Sequence, residues 1–173
     1  MDALKDGLDA RSIRLAVALV LALVASACGA LRPPGALPPG TPIGEARQSF
    51  GGQTGEYPLP GGGTRLEFAQ GTFGRETFML DFDAGGLLVS SQQVKSEANF
   101  ATITSGLSQQ ELLMRLGHPS WVFGVQRQRI TVWNYRYYPP DCVVFQVSVS
   151  DTGTVTDAAQ GQDPACDHGG QRE

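Results

Sequence analysis

Apolar residues recur at two different spacings along this chain. Leu112, Leu113 and Leu116 form one apolar face at the three-and-four spacing of an α-helix. Two other segments place large apolar residues at every second position: Phe78, Leu80 and Phe82, and Phe145, Val147 and Val149. A period of two is typical of strands with one buried face. The pattern therefore predicts short helices together with half-buried strands.

Helix-start and helix-stop signals occur twice. Pro42 suits the first turn of one helix, and Ser108 with Glu111 predicts a capping box at the start of another. Gly51 and Gly117 follow the two predicted helices, at the position where a residue with positive φ commonly ends a helix.

The two halves of the chain repeat the same pattern. Residues 40–53 match residues 106–119 at an offset of 66. The later strands match at an offset of 67, as though one residue had been inserted in a turn: Phe68 falls on Tyr135, Phe78 on Phe145 and Gly86 on Gly153. Both DAGG and SDTG then predict hairpin turns.

The repeat predicts an α+β fold of two tandem units, residues 41–95 and residues 96–160. Residues 94–103 are predicted to add a short helix to the second unit. A unit of about 60 residues buries too little surface to be secure alone. We therefore expect both units to share one core, with the helices on one face of a combined antiparallel sheet.

The N-terminal segment is predicted to be an export signal covering residues 1–27. Arg11 and Arg14 precede an uncharged apolar run at 15–24, and small residues follow at 25–27. The run is too short to span a bilayer as a helix, which needs about 20 residues.

Residues 24–28 (VASAC) resemble the bacterial lipoprotein signal, in which the cysteine is lipidated and becomes the new N-terminus. The resemblance implies that Cys28 is the lipidation site. Gly29 stands where an Asp would imply inner-membrane retention, so it implies the periplasmic face of the outer membrane. Residues 28–40 are predicted to comprise the lipidated cysteine and a proline-rich tether, whose residues 29–40 reach ~35 Å as polyproline II.

Two further cysteines, Cys142 and Cys166, make an even number in an exported chain. A disulfide between them is expected in the oxidising periplasm, and it would tie down the tail at 161–173. A metal site at Cys166, Asp167 and His168 is the weaker alternative, because three adjacent residues cannot all converge on one tetrahedral ion.

Composition and charge exclude several functions. With 41% hydrophobic and 17% charged residues the chain is expected to fold, and a net charge of -4 without a basic run argues against nucleic acid. His118 lies in a helix-ending turn and is predicted to be structural, and no nucleophile motif is visible. We expect a protein that is not an enzyme, without cofactor, metal or small-molecule substrate.

The aromatic residues of one predicted strand allow two interpretations. Trp133, Tyr135 and Tyr137 share a face by alternation, with Trp121 and Phe123 nearby. They form either the core beneath the helices or an exposed protein-binding patch, where Trp and Tyr are enriched. The sequence leaves both interpretations open.

Residues 40–159 resemble the SmpA/OmlA (BamE-like) family of outer-membrane lipoproteins as a tandem repeat, in which the first unit matches more weakly than the second. The residues that carry the resemblance are Gly106, Glu111, 116–119 (LGHP), Trp133, Tyr135, Phe145, Val147 and Gly153. The tandem arrangement also resembles β-lactamase inhibitor proteins. The first resemblance implies a periplasmic binding or scaffolding module in outer-membrane protein assembly or envelope integrity. The second implies an inhibitor-like binder of a periplasmic enzyme, and both imply a protein partner.

Overall fold

A computed structural model of the chain describes residues 33–138 and 142–166. It contains three α-helices: α1 (Ile43–Phe50), α2 (Glu97–Phe100) and α3 (Gln109–Leu116). The strands are β1 (Gly55–Pro58), β2 (Thr64–Gln70), β3 (Glu76–Phe82), β4 (Leu88–Gln93), β5 (Trp121–Val125), β6 (Ile130–Arg136), β7 (Val143–Ser150) and β8 (Val155–Gln162). Both predicted helix stops, Gly51 and Gly117, lie directly after a helix.

The strands form two antiparallel sheets of four, in the orders β1-β2-β3-β4 and β5-β6-β7-β8. The fold is α+β, as predicted, but the expectation of one combined sheet is wrong. β4 and β5 are joined by a connection that contains α2 and α3, and they belong to different sheets. Each half of the chain completes its own meander of hairpins.

The strand registers locate the change of offset between the two units. Tyr57 pairs with Arg65 in the first sheet, and Phe123 pairs with Val132 in the second. The equivalent pair is therefore displaced by 66 residues on the first strand and by 67 on the second. The inserted residue of the second unit lies in the turn between β5 and β6.

Each unit also closes in the same way, with the chain before its first long helix bound to the start of its last strand. Gly40 donates its N–H to the carbonyl of Leu88, and Gly106 donates to the carbonyl of Val155, both at 2.8 Å. α3 then begins with the predicted capping box: the Glu111 carboxylate accepts from the Ser108 N–H at 2.8 Å. The hydrogen bonds from the N–H and the hydroxyl of Ser108 lower the pKa of Glu111.

The buried apolar residues divide into two main clusters, one in each unit. The first contains Ala46, Leu66, Phe68, Leu80, Phe82 and Leu88. The second contains Phe100, Ile103, Leu112, Leu116, Trp133, Tyr135, Tyr137, Phe145, Val147, Val149 and Val155. The expectation of one undivided core is therefore also wrong.

A third, smaller cluster joins the two units. Tyr57, Met79 and Val94 of the first unit pack against Leu113 and Met114 of α3. Met79 alternates with the residues of the first cluster along β3, so it faces the opposite side of the sheet. The first sheet thus buries apolar side chains on both faces. The alternation of apolar residues along β3 predicts only one buried face.

Residues 33–40 are packed on the first unit, which corrects the prediction of a free tether over 28–40. Pro34 is buried in the 3₁₀ turn Pro34–Ala36, and its carbonyl accepts from the Ser91 hydroxyl at 3.1 Å. Leu37 packs against the first cluster. Apolar prolines and a leucine gain more from this contact than from an extended, solvated conformation.

The predicted signal at 1–27 and the lipidation site Cys28 lie outside the described residues. Across residues 33–138 and 142–166, no helix is both long enough and apolar enough to cross a membrane.

A candidate protein-binding edge

Three of the five aromatic residues predicted for a binding patch are core residues. Trp133 is 8%, Tyr135 0% and Tyr137 1% exposed. The Phe100 ring, on α2, stacks on Phe145 with centroids 4.3 Å apart and meets Tyr137 edge-on at 4.8 Å. The binding interpretation is wrong for Tyr135 and Tyr137, which packing leaves with almost no accessible surface, whereas Trp133 keeps a small exposed area.

Trp121 and Phe123 lie on β5, at the edge of the second sheet, and remain accessible. Val122 pairs with the buried Trp133, whereas Trp121 and Phe123 alternate with it and so face away from the second cluster. Phe123 is 45% and Val122 51% exposed. β5 therefore presents large apolar side chains on both faces.

Trp121 is held in place by a charged pair. The Arg136 guanidinium lies 4.6 Å from the centroid of the Trp121 ring, a cation–π distance. Arg136 also donates to both carboxylate oxygens of Asp163, at 2.5 and 2.9 Å. These hydrogen bonds lower the pKa of Asp163 and raise that of Arg136.

A shallow apolar depression of about 380 Å³ lies beside β5. Its lining consists of Gln109, Leu113, His118, Pro119, Trp121, Val122 and Trp133. This lining includes no hydroxyl, thiol, amine or carboxylate side chain that His118 could activate. The arrangement suits an apolar contact with one imidazole at its rim.

The chain before β5 is fixed by a buried carboxylate from the first unit. Glu67, on β2, is fully buried and accepts the backbone N–H of His118 at 2.9 Å. Nδ1 of His118 lies 2.8 Å from the second carboxylate oxygen, which also accepts from the Tyr57 hydroxyl at 2.7 Å. The position of His118 at the depression is therefore set by the first unit.

Gly117 makes this approach sterically feasible. Its φ is +74°, and a Cβ placed there would lie 2.7 Å from Cδ of Glu67 and 3.0 Å from Cγ2 of Thr77. Gly51, the equivalent residue after α1, also has positive φ but has no atom within 4 Å of such a Cβ. Only the second helix stop serves a contact between the units.

Other buried ionisable groups surround Glu67. Lys95 is 1% exposed and donates to the Gly74 carbonyl at 2.6 Å. Burial lowers the pKa of Lys95 to about 8, while the nearby Glu67 acts in the opposite direction. Burial raises the pKa of Tyr57 and of Tyr135, and Glu67 adds to both shifts.

Sequence reasoning missed Glu67 as a positioning residue. The strand RLEFA places it on the side facing away from Leu66 and Phe68, where a solvated carboxylate is the ordinary interpretation. One signal was present: the equivalent residue in the second sheet is Asn134, which is also polar and also fully buried. His118 was predicted to be structural and does join the two units.

Cys142 and Cys166 lie within disulfide distance, with their Cα atoms 5.4 Å apart. The Asp163 N–H donates to the Cys142 carbonyl at 2.9 Å, which brings the end of β8 to the same place. Asp167 and His168 lie outside the described residues. Within the described part of the chain, no group of three His, Cys, Asp or Glu residues is arranged to hold a metal ion.

No family model matches this chain, and no curated protein is significantly similar to it. One solved structure with a detectable likeness is a Streptococcus mutans protein proposed to be a beta-lactamase inhibitor protein. The two chains are 12% identical, with a TM-score of 0.32, and the match covers 70% of this chain and 82% of the other. The resemblance to the SmpA/OmlA family rests on the motifs quoted above.

Proposed function

We propose that this protein is a lipid-anchored binding module of the bacterial envelope, and that it binds a protein partner at β5 and the adjoining depression. The observation that carries the proposal is the pair Val122 and Phe123, about half exposed at a sheet edge. An exposed apolar edge strand is a ready template for pairing with another chain.

The chemistry of the depression favours binding over catalysis. An enzyme site needs a nucleophile or an acid–base pair that faces a cleft. Here the carboxylate nearest His118 is fully buried beneath it, and the remaining lining is apolar or amide. Aromatic side chains beside an arginine are the composition enriched in protein interfaces.

The envelope location is supported by the N-terminal signal and by the cysteines. The resemblance of 24–28 to a lipoprotein signal and the Cys142–Cys166 distance agree with export to an oxidising compartment. The resemblance to the SmpA/OmlA family further favours a scaffolding role in outer-membrane protein assembly or envelope integrity.

Photo-crosslinking in the intact envelope tests the binding role. A photoreactive phenylalanine derivative replaces Phe123, and the same derivative at Val89, which is 61% exposed on β4, is the matched control. We expect one discrete protein adduct from position 123 and none from position 89. Barrel-assembly subunits in the adduct support scaffolding, whereas a soluble hydrolase supports the inhibitor-like alternative. Identical adduct patterns from the two positions would contradict a binding site at β5.

Lipidation is tested separately. Cys28→Ser should abolish palmitate labelling and leave a precursor that the lipoprotein signal peptidase does not cut. Palmitate incorporation into that variant would show that Cys28 is not the lipidation site.

A further inference from the structure

Three of the four sheet edges carry, over at least part of their length, a feature that opposes pairing with another chain. The edge at the start of β4 is occupied by the preceding chain. The Leu88 carbonyl accepts the Gly40 N–H at 2.8 Å, and the Leu88 N–H donates to the Thr41 carbonyl at 2.9 Å. The start of β8 is occupied in the same way, with Val155 bonded to Gly106 and Leu107 at 2.8 Å each. The third protected edge, β1, carries a charge and a proline, two features that discourage pairing.

The equivalent edge strand of the second unit lacks this protection. By the strand registers, Glu56 of β1 is equivalent to Val122 of β5, and Pro58 is equivalent to Gly124. β5, with the sequence WVFGV, has no charge and no proline. Within the described residues, no backbone group from outside the second sheet bonds to Trp121–Val125. β5 is thus an apolar strand with an open edge.

The segment of the chain that contains β5 has arginines and no acidic residue, although the chain is acidic overall. Residues 112–140 contain four arginines and no aspartate or glutamate, whereas the chain as a whole has a net charge of -4. Arg129 pairs with Asp151 and Arg136 with Asp163. Arg127, at the tip of the β5–β6 hairpin, is exposed and has no ion pair within the described residues. A partner with negative charge would complement this end of the strand.

We propose that β5 binds its partner by strand addition: an extended, acidic segment of another protein pairs along Trp121–Val125 as a fifth strand of the second sheet. In this mode backbone hydrogen bonds supply affinity, and side chains on alternate faces supply specificity. Phe123 and Val122 contact the partner's alternate residues, and an acidic residue reaches Arg127. The inference rests on the proposed binding function and specifies its mode.

Charge distinguishes this occupant from a second copy of the chain. The β5–β6 hairpin of another copy would bring a second exposed Arg127 and no acidic residue of its own, and Asp151 and Asp163 beside it are already paired with Arg129 and Arg136. Like charges set opposite each other oppose association. An acidic segment of a different protein meets no such repulsion.

Binding of a defined peptide tests the mode directly. The probe is an eight-residue peptide in which valine alternates with threonine, with a glutamate at each end. The control peptide has lysine in place of each glutamate. We expect the acidic peptide to bind and to slow amide hydrogen exchange along Trp121–Val125. The affinity of the basic peptide should be lower by a factor of about five or more.

Two variants introduce residues of β1 at the equivalent positions of β5, and they distinguish backbone pairing from side-chain contact. Val122→Glu and Gly124→Pro place the first unit's protection on β5 and should each abolish peptide binding. Gly124→Ala is the matched control, since a Cβ at Gly124 has no atom within 4 Å, and it should bind like the wild-type protein. Thermal unfolding of each variant shows whether the fold is retained. Val122→Glu leaves the backbone intact, so it remains informative where the proline variant unfolds.

The outcomes distinguish failure of the binding mode from failure of the binding function. Binding of the acidic peptide without protection of β5, or equal binding of both peptides, overturns strand addition. Protection of β5 in the absence of peptide, rising with protein concentration, identifies self-association instead and likewise overturns the proposal. A Phe123 adduct in the envelope that persists in folded Val122→Glu protein overturns strand addition while leaving the binding function standing. Absence of any adduct at Phe123 in wild-type cells contradicts the binding function itself.

Discussion

The Glu67 carboxylate, in the first sheet, accepts the backbone N–H of His118, the second residue after α3, at 2.9 Å. The two residues belong to different units of the repeat and are 51 positions apart in the chain. Because His118 leads directly into β5, this hydrogen bond links the interior of the first unit to the proposed binding edge of the second.

Removing the Glu67 carboxylate should destabilise both units. Glu67→Ala leaves the His118 N–H and the Tyr57 hydroxyl without an acceptor in a buried site, at a cost of about 3 kcal/mol. Glu67→Gln retains one acceptor and should cost less. Urea denaturation measures both. Arg47→Ala, which removes only an exposed ion pair with Glu56, is the control and should cost less than about 1 kcal/mol.

The two helix-ending glycines should respond differently to the same substitution. Gly51→Ala forces a side chain into a backbone conformation that is nearly exclusive to glycine, costing about 1–3 kcal/mol. Gly117→Ala has the same cost and adds overlap with Glu67 and Thr77, typically about 1–3 kcal/mol more. Thermal unfolding compares them. Equal losses would show that Glu67 moves away freely and that its contact with His118 is weak.

Stability should rise with pH between about 8 and 10. The pKa of Lys95 is about 8 in the folded protein, against about 10.5 unfolded, so the unfolded state binds the extra proton in this interval. The contribution of Lys95 to the unfolding free energy should rise by about 2 kcal/mol from pH 7 to pH 10, and ionisation of the unfolded tyrosines begins to oppose it near pH 10. Lys95→Met should remove that gain, since Lys5 is the chain's only other lysine. Urea titrations at pH 7, 8, 9 and 10 measure it.

Above about pH 10 the trend should reverse. The pKa values of Tyr57, Tyr135 and Tyr137 are raised in the folded protein, chiefly by burial. The unfolded tyrosines therefore lose their protons first, and stability falls as pH rises further. A continued rise past pH 11 would contradict burial of these three hydroxyls.

The Arg136–Asp163 pair should contribute strongly at neutral pH and weaken in acid. Asp163→Asn leaves the Arg136 charge with less compensation in a site where its side chain is 14% exposed, at a cost of about 3 kcal/mol. The pKa of Asp163 is lowered, so its contribution is present above about pH 4 and is lost as pH falls through the folded-state pKa. Asp151→Asn, which breaks an exposed pair with Arg129, is the matched control and should cost less than about 1 kcal/mol.

Non-reducing peptide mapping of the mature protein should recover Cys142 linked to Cys166. The bond closes a loop of about 25 residues and should stabilise the fold by about 3.5 kcal/mol. Cys142→Ser with Cys166→Ser should show that loss in urea denaturation. Two free thiols in protein freshly taken from the periplasm would refute the pairing.

Local signals in the sequence predicted α1, α3 and the alternating strands β3, β6 and β7, but they did not mark β1 or β5 as strands. The capping box at Ser108 and the stop at Gly117 are properties of a few adjacent residues, so they bound α3 without knowledge of its surroundings. The change of offset between the units also appears in the sequence, because an inserted residue shifts every later match.

The arrangement of the two units was not predictable in the same way. Alternation along β3 marks Phe78, Leu80 and Phe82 as one face, and it says nothing about what covers Met79 on the other. The burial of Glu67 depends on a residue 51 positions away in the chain. The sequence of its own strand therefore predicts an exposed, solvated carboxylate. Trp121 and Trp133 illustrate the remaining difficulty, since composition does not distinguish an aromatic core from an aromatic surface.

The docking of Pro34 onto the first unit sets how far the protein can stand from a membrane. With Cys28 as the proposed lipid anchor, only five peptide units separate the acyl chains from Pro33, a leash of at most ~18 Å. The anchored end of the folded body therefore stays within about 18 Å of the lipid headgroups. With this anchor, partners embedded in the outer membrane or lying directly on it are within reach of the folded body.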